Sequence, residues 1–143
     1  MKKRLLVALS CAFAAVMALC LVGCSEPEPQ EPANLTGDWK QANSASEDSY
    51  QQATITDDYI EIYWVSDGGD TKSLYWAGTY TAPTEPGDYS WDSENDTEKT
   101  SKALMASPSE TKTFNYTDAD KTISYEASAL GTTSTIKLEK VEE

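Results

Sequence analysis

The sequence predicts an all-β domain over residues 35–143, an antiparallel meander of eight or nine strands that closes into a small barrel. Polar and apolar residues alternate with a period of two, thirteen residues of this segment are Trp, Tyr or Phe, and turn residues recur about every 8 to 12 positions. Because a flat sheet of sequential strands exposes two open edges, closure into a barrel is the first choice. A two-sheet sandwich is the second.

The first 23 residues are predicted to be a signal peptide with a helical apolar part. A basic run at positions 2–4 precedes an apolar stretch over 5–22, which ends in Leu21-Val22-Gly23-Cys24. These four residues resemble the bacterial lipobox. The resemblance implies that Cys24 is the lipidation site and that palmitate-type chains anchor the protein to the extracytoplasmic face of a bacterial cell membrane. An uncleaved signal anchor or an ordinary signal peptide is the alternative.

Residues 24–34 are predicted to be the lipidated cysteine and a disordered tether rich in proline and glutamate. At ~3 Å per residue this segment reaches on the order of 30 Å from the bilayer. Cys11 and Cys20 lie in the signal peptide and Cys24 carries the lipid, so the barrel segment has no cysteine and no disulfide. Its core alone must therefore hold it together.

The composition excludes several classes of function. The 143 residues contain 11 Lys plus Arg, 24 Asp plus Glu and no His. From Cys24 onward there are 8 basic and 24 acidic residues, a net charge of −16. Nucleic-acid binding is excluded because a basic footprint is missing. Catalysis by histidine is excluded as well, and no cofactor is predicted.

Turn residues and alternation place the individual strands. The turn at Asp57-Asp58 sets the register of the second and third strands. It places Ile55 opposite Ile60. It also places Ala53 opposite Ile62, so that four apolar side chains share one face. Strands are predicted near 36–42, 50–56, 59–66, 71–82, 88–94, 111–117, 121–127 and 133–141, and residues 98–106 fit either a short helix or a further strand.

The next turn, Asp-Gly-Gly-Asp at 67–70, predicts a tight hairpin between the third and fourth strands. In the register that follows from it, Ile62 lies opposite Tyr75, and Glu61 lies opposite Trp76 on the other face. Both faces of this ribbon then carry large side chains. The simpler interpretation is one core face with incidental aromatics outside. The sharper one is a second apolar surface that binds something.

The segment Leu35-Thr36-Gly37-Asp38-Trp39-Lys40 resembles the first strand of the calycins, the group of lipocalins, fatty-acid-binding proteins and avidins. The resemblance implies a calycin-like barrel with Gly37 and Trp39 at its closed end. It also implies that a basic side chain of the last strand, Lys137 or Lys140, lies over the Trp39 ring in a cation–π contact. Segments 64–70 and 74–80 resemble small bacterial lipoproteins with no assigned activity.

Aromatic and acidic side chains remain as candidates for a site. Asp92, Glu94 and Asp96 alternate and are candidates for weak calcium binding. The alternative is a solvated hairpin tip, because the glycine and the final glutamate of a calcium loop are missing at the required spacing. Possible ligand-binding aromatics are Trp64, Trp76, Tyr63, Tyr75 and Trp91.

The predicted function is non-catalytic binding of a small molecule, a glycan or a protein by a membrane-anchored lipoprotein. The alternative is a structural or interaction module of the cell envelope that has no ligand pocket. A hydrolase is kept in reserve, because Glu61 beside Trp76 is the kind of pairing that binds sugar, and paired carboxylates hydrolyse glycosides.

Overall fold

The computed structural model describes residues 29–142 and confirms the all-β meander barrel. Residues 1–28, which include the predicted signal peptide, Cys24 and the first part of the tether, lie outside the described residues. None of the helices within 29–142 has the length and apolar character needed to cross a bilayer. The strands are β1 Gly37–Gln41, β2 Tyr50–Ile55, β3 Tyr59–Ser66, β4 Thr71–Thr79, β5 Tyr89–Glu94, β6 Thr111–Thr117, β7 Thr122–Ala129 and β8 Thr132–Lys140, with a short helix α1 Thr97–Thr100 and a 3₁₀ turn Asp67–Gly69.

The eight strands form a single antiparallel sheet in the order β4-β3-β2-β1-β8-β7-β6-β5. Strand β1 joins the two halves of the meander, because it pairs with β2 on one edge and with β8 on the other. The barrel closes between β4 and β5 through one bridge, Gly78 to Asn95. Next to it, the Asp96 amide donates to the Ala77 carbonyl at 2.8 Å. The closure is thus local, and we call this line of contact the seam.

Residues 98–106, for which the sequence allowed either a short helix or a further strand, lie in helix α1 and in the turns that follow it. This segment runs along the free edge of β4, where the Ser107 amide donates to the Tyr75 carbonyl at 2.8 Å. An uncovered strand edge is a template for aggregation, so this segment protects the edge that the seam leaves unpaired.

The predicted registers hold in one hairpin and fail in part of the next. Ile55 faces Ile60 and Ala53 faces Ile62, as expected. In the β3–β4 hairpin the register shifts between Ile62 and Tyr63, so that Ile62 faces Trp76 and Glu61 faces Ala77. The predictions of Tyr75 opposite Ile62 and of Trp76 opposite Glu61 were therefore wrong. A β-bulge adds one residue to β4 here and brings both aromatic side chains inward.

A continuous set of aromatic contacts fills the barrel interior. Neighbouring ring centroids lie 5.0 to 6.5 Å apart along its length. Phe114 is at its centre, stacked on Trp91 at 5.0 Å and tilted against Tyr125 at 5.0 Å. Aromatic pairs of this kind contribute beyond their buried area. We call the set the aromatic spine; in spatial order it is Tyr89, Trp91, Phe114, Tyr125, Tyr75 and Trp64.

The first strand closes one end of the barrel. The Trp39 indole is 1 % exposed, and its N–H donates to the Leu35 carbonyl at 2.9 Å. Lys140 Nζ lies 6.0 Å from the Trp39 ring centroid, so the expected cation–π contact is present for Lys140. Gly37 has a φ of +124°, and a Cβ there would lie 3.2 Å from the Lys140 stem. The Gly-x-Trp spacing thus lets the lysine cross the strand on its way to the ring.

Candidate functional site

The end of the barrel opposite Trp39 is open and holds a cleft of about 480 Å³. It lies where β2 and β8 begin and where β3 and β7 end. We call it the mouth cleft. Hydroxyl and amide side chains supply its polar surface, and its apolar surface comes from two aromatic and four aliphatic residues, Tyr50, Trp64, Ala45, Ala127, Ala129 and Ile136. None of the side chains that line it is charged.

Two amide side chains fix one wall of the mouth cleft. Asn43 donates to the Thr135 carbonyl at 2.8 Å and accepts from the Lys137 amide at 3.0 Å. Gln41 donates to the Asn43 side chain at 3.1 Å and accepts from the Gln51 amide at 2.9 Å. Each carboxamide thereby keeps a second N–H beyond these bonds. The wall is tied to β8 and β2, so its hydrogen-bonding groups are held in place before a ligand arrives.

Trp64 forms the aromatic floor of the mouth cleft. It is partly buried and packs edge-on against Tyr75 at 5.4 Å, so it is the outer end of the aromatic spine. The residue opposite it on β2 is Gln51, which is fully buried. The Tyr125 hydroxyl donates to the Gln51 side-chain oxygen, while Gln51 Nε2 has no partner. Burial raises the pKa of Tyr125 well above its ordinary value, so this hydroxyl keeps its proton.

Of the five aromatic residues singled out from the sequence, Trp64 alone lines the mouth cleft. Trp76, Tyr75 and Trp91 are between 0 and 5 % exposed and belong to the core. Tyr63 lies on the outer face of β3, where its hydroxyl donates to Glu61 at 3.1 Å. Of the two interpretations of this ribbon, the one with a single core face fits better, because the β-bulge turns Trp76 into the barrel and removes it from a second apolar surface.

Glu61 belongs to a charged network that attaches helix α1 to β3. Its carboxylate accepts from Lys99 at 2.5 Å. The Tyr59 hydroxyl donates to Asp96 at 2.7 Å, and Lys99 Nζ lies 4.9 Å from the Tyr59 ring centroid. The Tyr59 hydroxyl bond lowers the pKa of Asp96, and the bond to Glu61 raises the pKa of Lys99. The pairing of Glu61 with Trp76, on which the reserve hypothesis of a hydrolase was based, is absent.

The three acidic residues considered for calcium binding do not share a common contact. Asp92 accepts from the Thr113 hydroxyl at 2.6 Å, Asp96 accepts from Tyr59, and Glu94 ends strand β5. Within residues 29–142, no group of three His, Cys, Asp or Glu side chains is placed to hold a metal ion. Asp92 and Asp96 thus act as ordinary hydrogen-bond acceptors.

A second opening lies in the barrel wall between β6 and β7. Their ladder comprises three residue pairs, whereas β7 and β8 pair over eight. Beyond the ladder the strands diverge around a polar groove of about 500 Å³, which we call the lateral groove. Lys112 lies in it and was missed in the sequence, although it shares the parity of the buried Phe114 and Tyr116. The sequence did carry a signal for Lys112, namely a polar residue at a position whose alternation points into the barrel. The same signal marked Gln51.

Comparison with known proteins gave no match: no family model, no curated protein and no solved structure matches this chain.

Proposed function

We propose that this protein is a lipid-anchored, extracytoplasmic lipoprotein that binds a neutral glycan in the mouth cleft without reacting with it. The observation that carries the proposal is the placement of Trp64 as a partly exposed ring beside fixed amides. A sugar ring has apolar C–H faces and a rim of hydroxyls. An aromatic face suits the first, and amide and hydroxyl side chains suit the second.

The electrostatics of the cleft favour a neutral ligand. The lining carries no charged side chain that would pair with an ion. The mature chain has a net charge of −16, which repels polyanions at low ionic strength. The shallow depth of the mouth cleft also determines how a ligand binds. Because the aromatic spine occupies the barrel interior, a ligand contacts the barrel at its rim and is not enclosed by it.

The position of the tether supports the same proposal. Residues 31–35 lead into β1 at the closed end, where Leu35 lies under the Trp39 indole. A lipid on Cys24 therefore attaches through the closed end. The mouth cleft is at the other end of the barrel, so the attachment of the tether does not cover it.

Replacement of Trp64 by alanine is expected to weaken glycan binding at least about tenfold, since a lost aromatic contact removes roughly 1.5–3 kcal/mol of apolar burial. Trp64 is the partly exposed member of the four tryptophans, so intrinsic fluorescence reports its contacts. The wild type should show a saturable spectral shift with at least one member of a neutral oligosaccharide panel. Trp64→Phe, which keeps a ring, is the matched control and should retain most of the affinity measured by calorimetry.

An unchanged affinity in Trp64→Ala, or no response to any neutral glycan, contradicts the proposal. The filled barrel interior favours a second candidate in that case, a structural or interaction module of the envelope that contacts proteins through its outer surface. Cross-linking on intact cells separates the two, because the module requires a protein neighbour and the glycan binder does not.

Lipid attachment at Cys24 has its own test. Expression in a bacterium that processes lipoproteins should give a mature chain that begins at Cys24 and carries the mass of a diacylglyceryl group and acyl chains. The variant Cys24→Ser should lose that mass. It should also no longer sediment with the membrane fraction. A mature chain that begins at any other residue contradicts the lipoprotein proposal.

A further inference from the structure

The lateral groove begins where a regular ladder stops. The β6–β7 register ends with Asn115 opposite Ser124. Continued in the same register, the next hydrogen-bonded pair would join Thr113 and Glu126, because hydrogen-bonded pairs alternate along an antiparallel ladder. That pair is not formed. The Glu126 carbonyl instead accepts from Lys112 Nζ at 2.8 Å, so a side chain spans the opening.

Lys112 is half-buried against aromatic rings and forms no ion pair with another described residue. Its Nζ lies 5.2 Å from the Tyr75 ring centroid and 5.5 Å from that of Trp76, so it faces aromatic surface on the inner side. The ion pairs of residues 29–142 are Lys99 with Glu61 and Lys121 with Asp118, and Lys112 is in neither. Burial lowers its pKa, and the charge of Glu126 opposes that shift. A half-buried ammonium without a bonded carboxylate is costly to keep.

The surroundings of Lys112 are rich in groups that bind an anion. Hydroxyls of Thr111, Ser124, Ser128 and Thr133 line the lateral groove with it. The β6–β7 register stops before Thr113 and Glu126, and both residues line the groove with their backbone amides outside the ladder. Ammonium, amide and hydroxyl groups together form the usual donor set for a carboxylate oxygen.

We infer that the lateral groove is a second binding site, next to the mouth cleft, that takes a small ligand through one carboxylate held by Lys112. The carboxylate replaces the Glu126 carbonyl as the partner of the ammonium and receives further hydrogen bonds from the groove hydroxyls. A dianion is disfavoured, because the Glu126 side chain lines the same groove and the chain as a whole is acidic. The source of the carboxylate is a uronic acid or the C-terminus of an amino acid or short peptide.

The test is a titration of the ¹⁵N-labelled full chain in detergent micelles, followed by amide chemical shifts. The probes are glucuronate, N-acetylglycine and acetate, with inorganic phosphate as the dianion and sodium chloride at matched ionic strength as the salt control. We expect saturable shifts at the Thr113, Ser124 and Glu126 amides with at least one carboxylate. The comparison of glucuronate with N-acetylglycine identifies the source.

Three variants make the test specific. Lys112→Met should weaken binding about tenfold or more, because a hydrogen bond to a charged group is lost. Lys102→Met makes the same change of charge at an exposed lysine of the segment after α1 and should leave binding unchanged. Glu126→Gln should tighten binding about two- to fivefold, since it removes a repelling charge. A spectrum of Lys112→Met with dispersed amide signals shows that the variant is folded.

Shifts that follow ionic strength without saturating overturn the inference, as does equal weakening in Lys112→Met and Lys102→Met. Tighter binding of phosphate than of every carboxylate overturns the choice of ligand class. Loss of the Trp64 response to glycans has no bearing on these shifts, so failure at the mouth cleft and failure at the lateral groove are distinguishable.

Discussion

Replacement of Phe114 by alanine is expected to lower the free energy of unfolding by about 3–5 kcal/mol. Phe114 is fully buried and stands between Trp91 and Tyr125 at the centre of the aromatic spine. Its loss opens a cavity between two large rings that strands hold in place, so the neighbours have little freedom to collapse into it. The small size of the domain makes this a large part of its total stability.

Urea unfolding followed by fluorescence and far-ultraviolet circular dichroism measures this effect. Phe114→Leu should cost less than Phe114→Ala, since it fills part of the cavity. Leu130→Ala is the matched surface control, because Leu130 is fully exposed at the β7–β8 turn and should change stability by no more than about 0.5 kcal/mol. A loss below about 1 kcal/mol in Phe114→Ala would mean that the spine repacks freely.

Replacement of Gly78 by alanine is expected to open the seam and destabilise the domain by roughly 1–3 kcal/mol from overpacking, plus the bonds lost there. A Cβ at Gly78 would lie 2.4 Å from the Glu94 carbonyl oxygen and 2.5 Å from Ser93 Oγ. The Glu94 carbonyl oxygen belongs to the backbone of β5, so it cannot rotate away from the new methyl group. Ser93 Oγ accepts the Trp76 indole N–H at 3.0 Å, so relief of the clash disturbs a buried hydrogen bond as well.

Hydrogen exchange distinguishes an open seam from general destabilisation. In Gly78→Ala the Asp96 amide, which bonds across the seam to Ala77, should exchange faster than amides of the β7–β8 ladder. Gly87→Ala is the control, because a Cβ there meets nothing within 4 Å although its φ is +103°. It should cost about 1 kcal/mol from backbone strain and leave the Asp96 amide protected. Equal exchange in both variants contradicts the proposed role of Gly78.

Most of the fold was predictable because it follows from local rules. All eight strands lie where alternation and turn residues place them, and the Asp57-Asp58 turn fixes its register correctly. The β-bulge was not predictable. Tyr75 and Trp76 are both large and apolar, so a pattern of period two places only one of them inward. The bulge that brings both inward depends on packing against Phe114 and its neighbours across the barrel.

The candidate sites were predictable only in part, because they depend on distant strands. All the aromatics of 63–91 look alike in the sequence, and Trp64 differs from Trp76 by standing near the end of β3, at the barrel rim. Lys112 was visible as a polar residue at an inward position. Its environment arises from the divergence of β6 and β7, which no local pattern encodes.

The pairing of β1 with β8 has a consequence for the order of folding. Trp39 lies opposite Lys140, so the first strand of the barrel is paired on both edges only after the last strand has been made. Contacts of such large sequence separation form late and slowly, because the entropy of closing the intervening loop must be overcome first. During synthesis the N-terminal half therefore emerges with an unpaired β1 edge. The domain completes its hydrogen bonding only when residue 140 has followed, so truncation near the C-terminus leaves that edge exposed to aggregation.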